Sequence, residues 1–513
     1  MDKSSSENKS KNTDQSLQPN PENSWSESLA QNEAFFRELF KNDDTIVYRH
    51  FENQLNDDLQ FCAIFINGMV NNEIINENII LPIVNNIRLP EKENLIDALK
   101  NQVIICNDIT KTREFDKLIQ AILNGDTVLL VDGALEALII NSKGWPTRFI
   151  TEPESEKGSL GPREGFTESL LINLALVRRK LKTHELKFKF RVLGSRSHTK
   201  ACICYLEGLA QEAILAELEK RLDQINLDGI LDTNYLVELI KDAPFSPFKT
   251  IGNTERPDVV VGKLLEGRIA LILDGTPVAI TLPYLFNEYF QTNDDYYTNF
   301  YFASISRIIR IISFILTISA PAVFIALTTF HQEIIPSSLL LSISLARQRV
   351  PFPSIVEALI LGFIFESIRE AGVRATSNIG SSLSIVGALI LGEAAVRANF
   401  FSAPMLIVVG FTVVSGLMFP KLSGAFIILR LVLVFCAGLM GIYGYIFAMA
   451  GLLIHLFQIR SFGVPYMTPL NSIDFQDLKD TVIRAPWWYM EYRPKFIGAL
   501  NRIRQSNGDK KLE

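Results

Sequence analysis

Between residues 311 and 454 the sequence holds uncharged, strongly apolar runs at 311–330, 375–392, 398–420 and 431–454. Each is close to the roughly twenty residues that a helix needs to cross hydrocarbon, the second being the shortest. Residues 1 to about 300 instead carry charge at ordinary soluble density. The chain is therefore expected to be half soluble and half membrane. Arg307 and Arg310 stand just before the first run, which favours a cytoplasmic N-terminus. Pro321 is expected to kink that helix without forbidding it. Four spans follow, near 308–330, 375–396, 398–420 and 431–457, with Lys421 and Arg430 flanking a short turn between the last two. They return the C-terminus to the starting side, where Arg460, Arg484, Arg493, Lys495, Arg502 and Arg504 agree with the positive-inside rule. Residues 337–370 fit less simply, because Glu357 and Glu366 interrupt them. This stretch is expected to be amphipathic, re-entrant or buried inside an assembly, which leaves the span count open by one or two.

The soluble half divides into a polar tail over 1–30, a first α/β subdomain over 31–150 and a second over 151–300. A multi-pass domain over 301–460 and a cytoplasmic tail over 461–513 complete the chain. The tail is Ser/Asn-rich with no apolar signal segment, so it is expected to be disordered and cytoplasmic. The pattern predicts a helix at 32–39, a strand at 61–68, a helical stretch at 71–84, a strand at 101–108, a helix at 112–125, and two strands joined at Asp132-Gly133. The same order recurs from Ala201. Gly68 corresponds to Gly208, Gly125 to Gly267, and Asp132-Gly133 to Asp274-Gly275, at nearly constant offset. An internal duplication is expected, each copy a small sheet with helices against it. Between the copies, 167–180 predicts an amphipathic helix with Leu170, Leu174 and Val177 on one stripe. Arg163, Glu164, Glu168, Arg178 and Arg179 are expected on a solvated face or a contact with another subunit.

Net charge is −6 without a basic block, so nothing points to nucleic acid. The five cysteines are odd in number and lack zinc-ligand spacing, and are expected to be reduced core residues. No phosphate loop, nucleophile arrangement or metal-ligand spacing emerges, so neither a cofactor nor an enzymatic activity is expected. His331 and His455 sit at the ends of expected spans and read as boundary residues. Trp487, Trp488 and Tyr489 read as an interfacial anchor, with partner docking as the alternative.

The charges that begin "FESIREAGVRATSNIGSSLSIVGALILGEAAV" need a separate account. Glu366, Arg369, Glu370 and Arg374 stand three and four apart, so on a helix they form one stripe of self-neutralising pairs. With Glu357 and Glu393 they are the intramembrane or mouth charges, of a kind that faces a bundle interior or a water-filled cavity. The next helix carries Ser377, Ser381 and Ser384 on a small, polar stripe, and Val386 and Ile390 on an apolar one. One reading is close packing of small residues against a neighbour. The other is a pore-lining helix whose apolar stripe gates by dewetting.

"GPREGFTESLLINLALVRR", "LDGTPVAITLP", "RVPFPSIVEALILGFIFESIREAG", "IGSSLSIVGALILGEAAV" and "SAPMLIVV" together resemble the A subunits of GerA-type spore germinant receptors, in the same order over nearly the whole chain after the tail. The resemblance implies a protein of the inner membrane of the dormant endospore that works with a transporter-like B subunit and a lipoprotein C subunit. It further implies an oligomeric, ligand-gated channel for monovalent cations, with the duplicated module in the cytoplasm. A secondary transporter using Glu357, Glu366 and Glu393 as coupling sites, and a purely structural scaffold, are the rival expectations. The visible repeat lies in the soluble half, whereas transporters repeat their membrane half.

Overall fold

A computed structural model describes residues 25–86, 94–144, 156, 160–374, 392–468, 479–494, 497, 501 and 503–504. The chain forms two compact units, Met1–Thr147 with Leu181–His184, and Arg148–Lys180 with Glu185–Glu513.

The first unit opens with helix α1 (Leu29–Leu39), followed by strands β1 (Ile46–Asn53) and β2 (Asn56–Ile66). Short, wide helical turns lead to β3 (Ile109–Thr112), helix α2 (Phe115–Leu123), β4 (Thr127–Val131) and β5 (Ala137–Ile140). The sheet is wholly antiparallel in the order β1-β2-β4-β5-β3. Every residue of β4 is buried, as a central strand covered on both faces requires. The expected strand at 101–108 is instead the helical segment Leu99–Val103 followed by a loop. Leu99, Val103 and Ile104 are buried while Ile105 is exposed, so the run lacks the alternation of a half-buried strand. Strand β3 begins only where pairing with Ala137–Ile140 starts.

The second unit repeats this order with α3 (Leu170–Lys180), β6 (Leu186–Leu193), β7 (Thr199–Leu206), α4 (Glu212–Asp223), α5 (Thr233–Ile240), β8 (Gly252–Thr254), α6 (Pro257–Leu265), β9 (Ile269–Leu273) and β10 (Ala279–Leu282). Its sheet runs β6-β7-β9-β10-β8, the same path strand for strand. The Asp-Gly turns that exposed the duplication also cap helices. The Asp132 carboxylate accepts the N–H of Leu29 at 3.2 Å, and Asp274 that of Leu170 at 2.9 Å, each at the first residue of α1 or α3. A carboxylate there meets both an orphan donor and the positive end of the helix dipole. Residues 167–180 are therefore the opening of the second copy rather than a link between copies.

Apolar helices complete the second unit: α7 (Phe300–Thr329), α8 (Ser337–Arg347), α9 (Ser354–Arg374), α10 (Ala403–Gly416) and α11 (Ser423–Gln458). Among the described residues, two helices are long and apolar enough to cross a membrane, Phe300–Thr329 and Pro420–Gln458. The first starts earlier than the expected 308 and runs through Pro321 unbroken. The expected span at 398–420 is only the fourteen-residue α10. The expected span at 375–396 lies outside the described residues up to 391, and 337–370 resolves into α8 and most of α9.

Helix α11 folds back on itself. A straight helix of its 36 residues would be about 54 Å long. Yet Lys421 beside its start donates to the Asn253 carbonyl at 3.1 Å, and His455 near its end lies 3.0 Å from the Ser246 hydroxyl. Those two contact points are joined by a loop that spans at most about 25 Å. The reversal falls at Gly441, whose φ of 63° and ψ of −140° are non-helical. A Cβ there would stand 2.8 Å from Phe330 Cβ and 3.0 Å from His331 Nε2. The single uncharged run at 431–454 is thus parts of two arms. Replacing Gly441 with Ala should cost about 1–2 kcal/mol in backbone strain, with the clash against Phe330 in addition. Gly451→Ala, in the same helix with open space around it, should be neutral or stabilising by up to about 1 kcal/mol. Thermal unfolding of the purified protein in detergent checks this; equal shifts for the two variants would exclude a turn at Gly441.

Candidate functional site

The chain between β10 and α7 builds the junction of the second repeat with the apolar helices. Phe286–Phe290 forms a tight turn whose rings pack edge-on to Phe314 of α7 and Phe419. Beyond it Asn299 caps α7, accepting the N–H of Tyr301 at 3.0 Å. Arg307 and Arg310, one turn apart, then reach back to Asp295. Arg307 Nε donates at 2.9 Å and Arg310 donates at 2.9 and 2.5 Å. Arg307 has no exposure to water, and its Nη1 donates to both the carbonyl (2.8 Å) and the carboxylate (2.9 Å) of Asp480. The Tyr296 hydroxyl donates to the second oxygen of that carboxylate at 2.8 Å. The stretch just before α7 and the distant segment at Asp480 are thereby clamped around one guanidinium.

A second buried cluster lies at the edge of the same repeat. Arg268 donates to Glu288 at 2.5 Å and to the Pro283 carbonyl at 2.6 Å, while Lys263 meets the other Glu288 oxygen at 2.8 Å. Burial pushes both Asp295 and Glu288 up, but the adjacent cations outweigh it and hold both carboxyls below the usual range. Between the clusters opens a cavity of about 490 Å³ lined by Asn253, Thr254, Tyr284, Tyr297, Lys421 and Trp487, among others. Charges in its wall are matched, Glu156 with Lys421 at 2.7 Å and Arg256 with Asp258 at 2.9 Å.

The residues singled out from the sequence fall in separate places. Ser377, Ser381, Ser384, Val386 and Ile390 lie outside the described residues. The expected pairs form along α9, Arg369 to Glu366 at 2.8 Å and Arg374 to Glu370 at 2.7 Å. Glu393 pairs with Arg397 at 2.6 Å on an exposed surface. Glu357 is apart from these and wholly buried. It accepts both the N–H (2.5 Å) and the hydroxyl (2.6 Å) of Ser402, the residue that starts α10, with Arg347 at 3.9 Å. It thus ties the first turn of α9 to the start of α10. Arg163 and Glu168 are exposed, and Glu164 bridges Arg179 (3.6 Å) and Lys180 (2.8 Å). Arg178 corrects the expectation of a solvated face. It is fully buried, lies 4.6 Å over the Phe188 ring and donates to the Leu186 carbonyl at 3.2 Å. A cation that stacks on an aromatic face and donates to a strand-edge carbonyl tolerates burial. Trp487, Trp488 and Tyr489 are exposed. The clamp was missed because Arg307 and Arg310 read as topology charges; the signal was the acidic pair Asp294-Asp295 just ahead of the apolar run.

Fold and site define a membrane protein in which a duplicated antiparallel sheet module leads into apolar helices, the second copy clamped to the first of them by buried ion pairs. Residues 34–496 match the family described as Bacillus/Clostridium GerA spore germination protein. Spore germination protein KA of Bacillus subtilis (strain 168) is 38% identical over 482 residues, 94% of this chain and 88% of that one. The uncharacterized membrane protein YfkQ of the same organism is 36% identical over 93% of each chain. The crystal structure of the N-terminal domain of the A subunit of the Bacillus megaterium spore germinant receptor GerK3 is 32% identical, covering 51% of this chain and 97% of that one, with a TM-score of 0.38. The chain belongs to the GerA family, the A subunits of spore germinant receptors.

Removing one partner of a buried ion pair leaves an uncompensated charge, at about 3–5 kcal/mol. Asp295→Asn should destabilise the protein by about that amount at neutral pH. Because the Asp295 carboxyl titrates below its ordinary range, its contribution is present above about pH 4 and is lost as pH falls through the native value. Denaturation of both proteins against pH should show a difference that is flat near neutrality and shrinks on acidification; a constant difference would place the effect elsewhere.

Proposed function

We propose that this A subunit contributes to a nutrient-gated path for monovalent cations across the inner membrane of the dormant spore. It does so as a multi-pass homo-oligomer, its α/β repeats in the cytoplasm, together with a transporter-like B subunit and a lipoprotein C subunit. The observation that supports the reading is the outer face of α9. Glu370 and Arg374 stand 54% and 80% exposed there on a helix that also exposes Leu359 and Phe363. Ion pairs on such a face are costly against hydrocarbon and acceptable against water or another subunit. In this reading α9 and the adjoining stretch with Ser377, Ser381, Ser384, Val386 and Ile390 line the path. Glu366, Arg369, Glu370, Arg374 and Glu393 stand at its mouth, and Glu357 holds the helix ends in register. Arg163, Glu164, Glu168 and Arg179 are the contacts with neighbouring subunits, and Trp487 to Tyr489 anchor at the interface.

Cation efflux from liposomes that hold the purified protein tests this, with oligomeric mass measured in the same preparation. An oligomer that leaks cations, at a rate altered by Val386→Glu or Ser384→Leu without loss of assembly, is the expected outcome. Unchanged efflux in both variants would remove the pore assignment, and vesicles that stay tight when partner subunits and nutrient are supplied would leave a scaffold.

A further inference from the structure

Three metal-ligand side chains meet in the first repeat, although no spacing in the sequence links them. His50 of β1 and Cys62 of β2 are direct cross-strand partners, so register brings their side chains together on one face. Glu33 of α1 reaches the same face, its Oε1 3.2 Å from His50 Nε2. The ligand atoms all lie within 4.8 Å of one another, so small side-chain rotations bring them to the roughly 2.0–2.3 Å of a shared ion.

The second repeat shows that the fold does not need them. Cys202 pairs there with Phe190 as Cys62 pairs with His50, and with Ile272 where Cys62 meets Leu130. Asn32 and Asn173 make the same side-chain bond, to the carbonyls of Ser26 and Thr167 at 2.6 Å, and are followed by Glu33 and Leu174. Glu, His and Cys thus occupy the places of Leu, Phe and Cys. Burying polar groups where carbon serves is unfavourable unless they are engaged, and Glu33 and Cys62 are 8% and 0% exposed. Arg37 has its own counterpart: it lies 4.2 Å over Tyr48 as Arg178 lies over Phe188. Its bond to Glu33 at 2.5 Å is the outer support that a ligating carboxylate ordinarily has. The Tyr48 hydroxyl, on the same face of β1 as His50, is buried with no hydrogen-bond partner.

We infer that Glu33, His50 and Cys62 bind one zinc ion, with the fourth position left to water. Imidazole, thiolate and carboxylate together match zinc in tetrahedral geometry, and the half-exposed His50 side chain gives the ion a way in.

Titration of the full chain in detergent, stripped of metal, with Co2+ followed by Zn2+ tests the site. One equivalent of Co2+ should give the visible bands of a tetrahedral ion and a thiolate charge-transfer band, both removed by one equivalent of Zn2+. Cys62→Ser should lose the charge-transfer band. His50→Phe, which copies the second repeat and changes only a half-exposed position, should keep the circular dichroism of the parent and weaken Co2+ binding by more than about tenfold. Cys202→Ser should change neither band. Absence of the bands in the parent, or their persistence in folded His50→Phe, would overturn the assignment.

Discussion

A guanidinium with no access to water persists only where its charge is compensated, and Arg307 is such a group. Asp295, Asp480 and the Asp480 carbonyl meet it, and each belongs to a different part of the chain from α7. The path from β10 to α7, the start of α7 and the return of the C-terminal segment are therefore set by one electrostatic requirement. Arg310 shares Asp295, so two cations and two carboxylates balance. The aromatic turn at Phe286–Phe290 packs beside this cluster and excludes water from it, which strengthens each charge interaction. The second repeat and the apolar helices consequently form one body rather than two joined by a tether.

The duplication was legible because its landmarks are chemical. Asp-Gly at 132–133 and 274–275 had to be conspicuous, since the Asp caps a helix and the Gly takes a left-handed turn, φ 77° and 88°. Strands β1 and β6 were invisible for the opposite reason. In β1 the adjacent Arg49 and His50 break the apolar alternation, whereas β6 alternates from Leu186 to Val192 and was hidden only by its density of Lys and Arg; pairing with β2 and β7 identifies both. Arg178 misled because charge in a helix reads as solvent-facing, while the ring and carbonyl that accept it lie on β6. Gly441 misled because a reversal inside hydrophobic sequence carries no polar punctuation, and the uncharged run simply continued through it. The Glu33, His50 and Cys62 set could not be read from spacing, as strand register rather than sequence distance assembles it.

The two copies share a path and differ in what they spend it on. In the first, the face between α1 and the β1–β2 pair carries Glu33, His50 and Cys62; in the second, Leu174, Phe190 and Cys202 stand at the corresponding places. In the second, the far edge of the sheet is where β8 and the segment before it meet the apolar region through Lys421 and His455. The second copy serves as an attachment, while the first holds a buried polar set.

The fold-back at Gly441 carries a consequence of parity. Arg307 and its partner Asp480 lie at one end of the helical bundle, so the chain between them makes an even number of traverses. Helix α7 leaves that end once, reaching Thr329, whose hydroxyl meets Ser354 at 3.4 Å. The two arms of α11 leave and return, and cancel. Among the described residues between α7 and α11, α10 makes the return, from Ser402 beside Glu357 to Phe419 against Phe290. A glycine that reverses one helix thus dictates whether the stretch before it comes out even or odd.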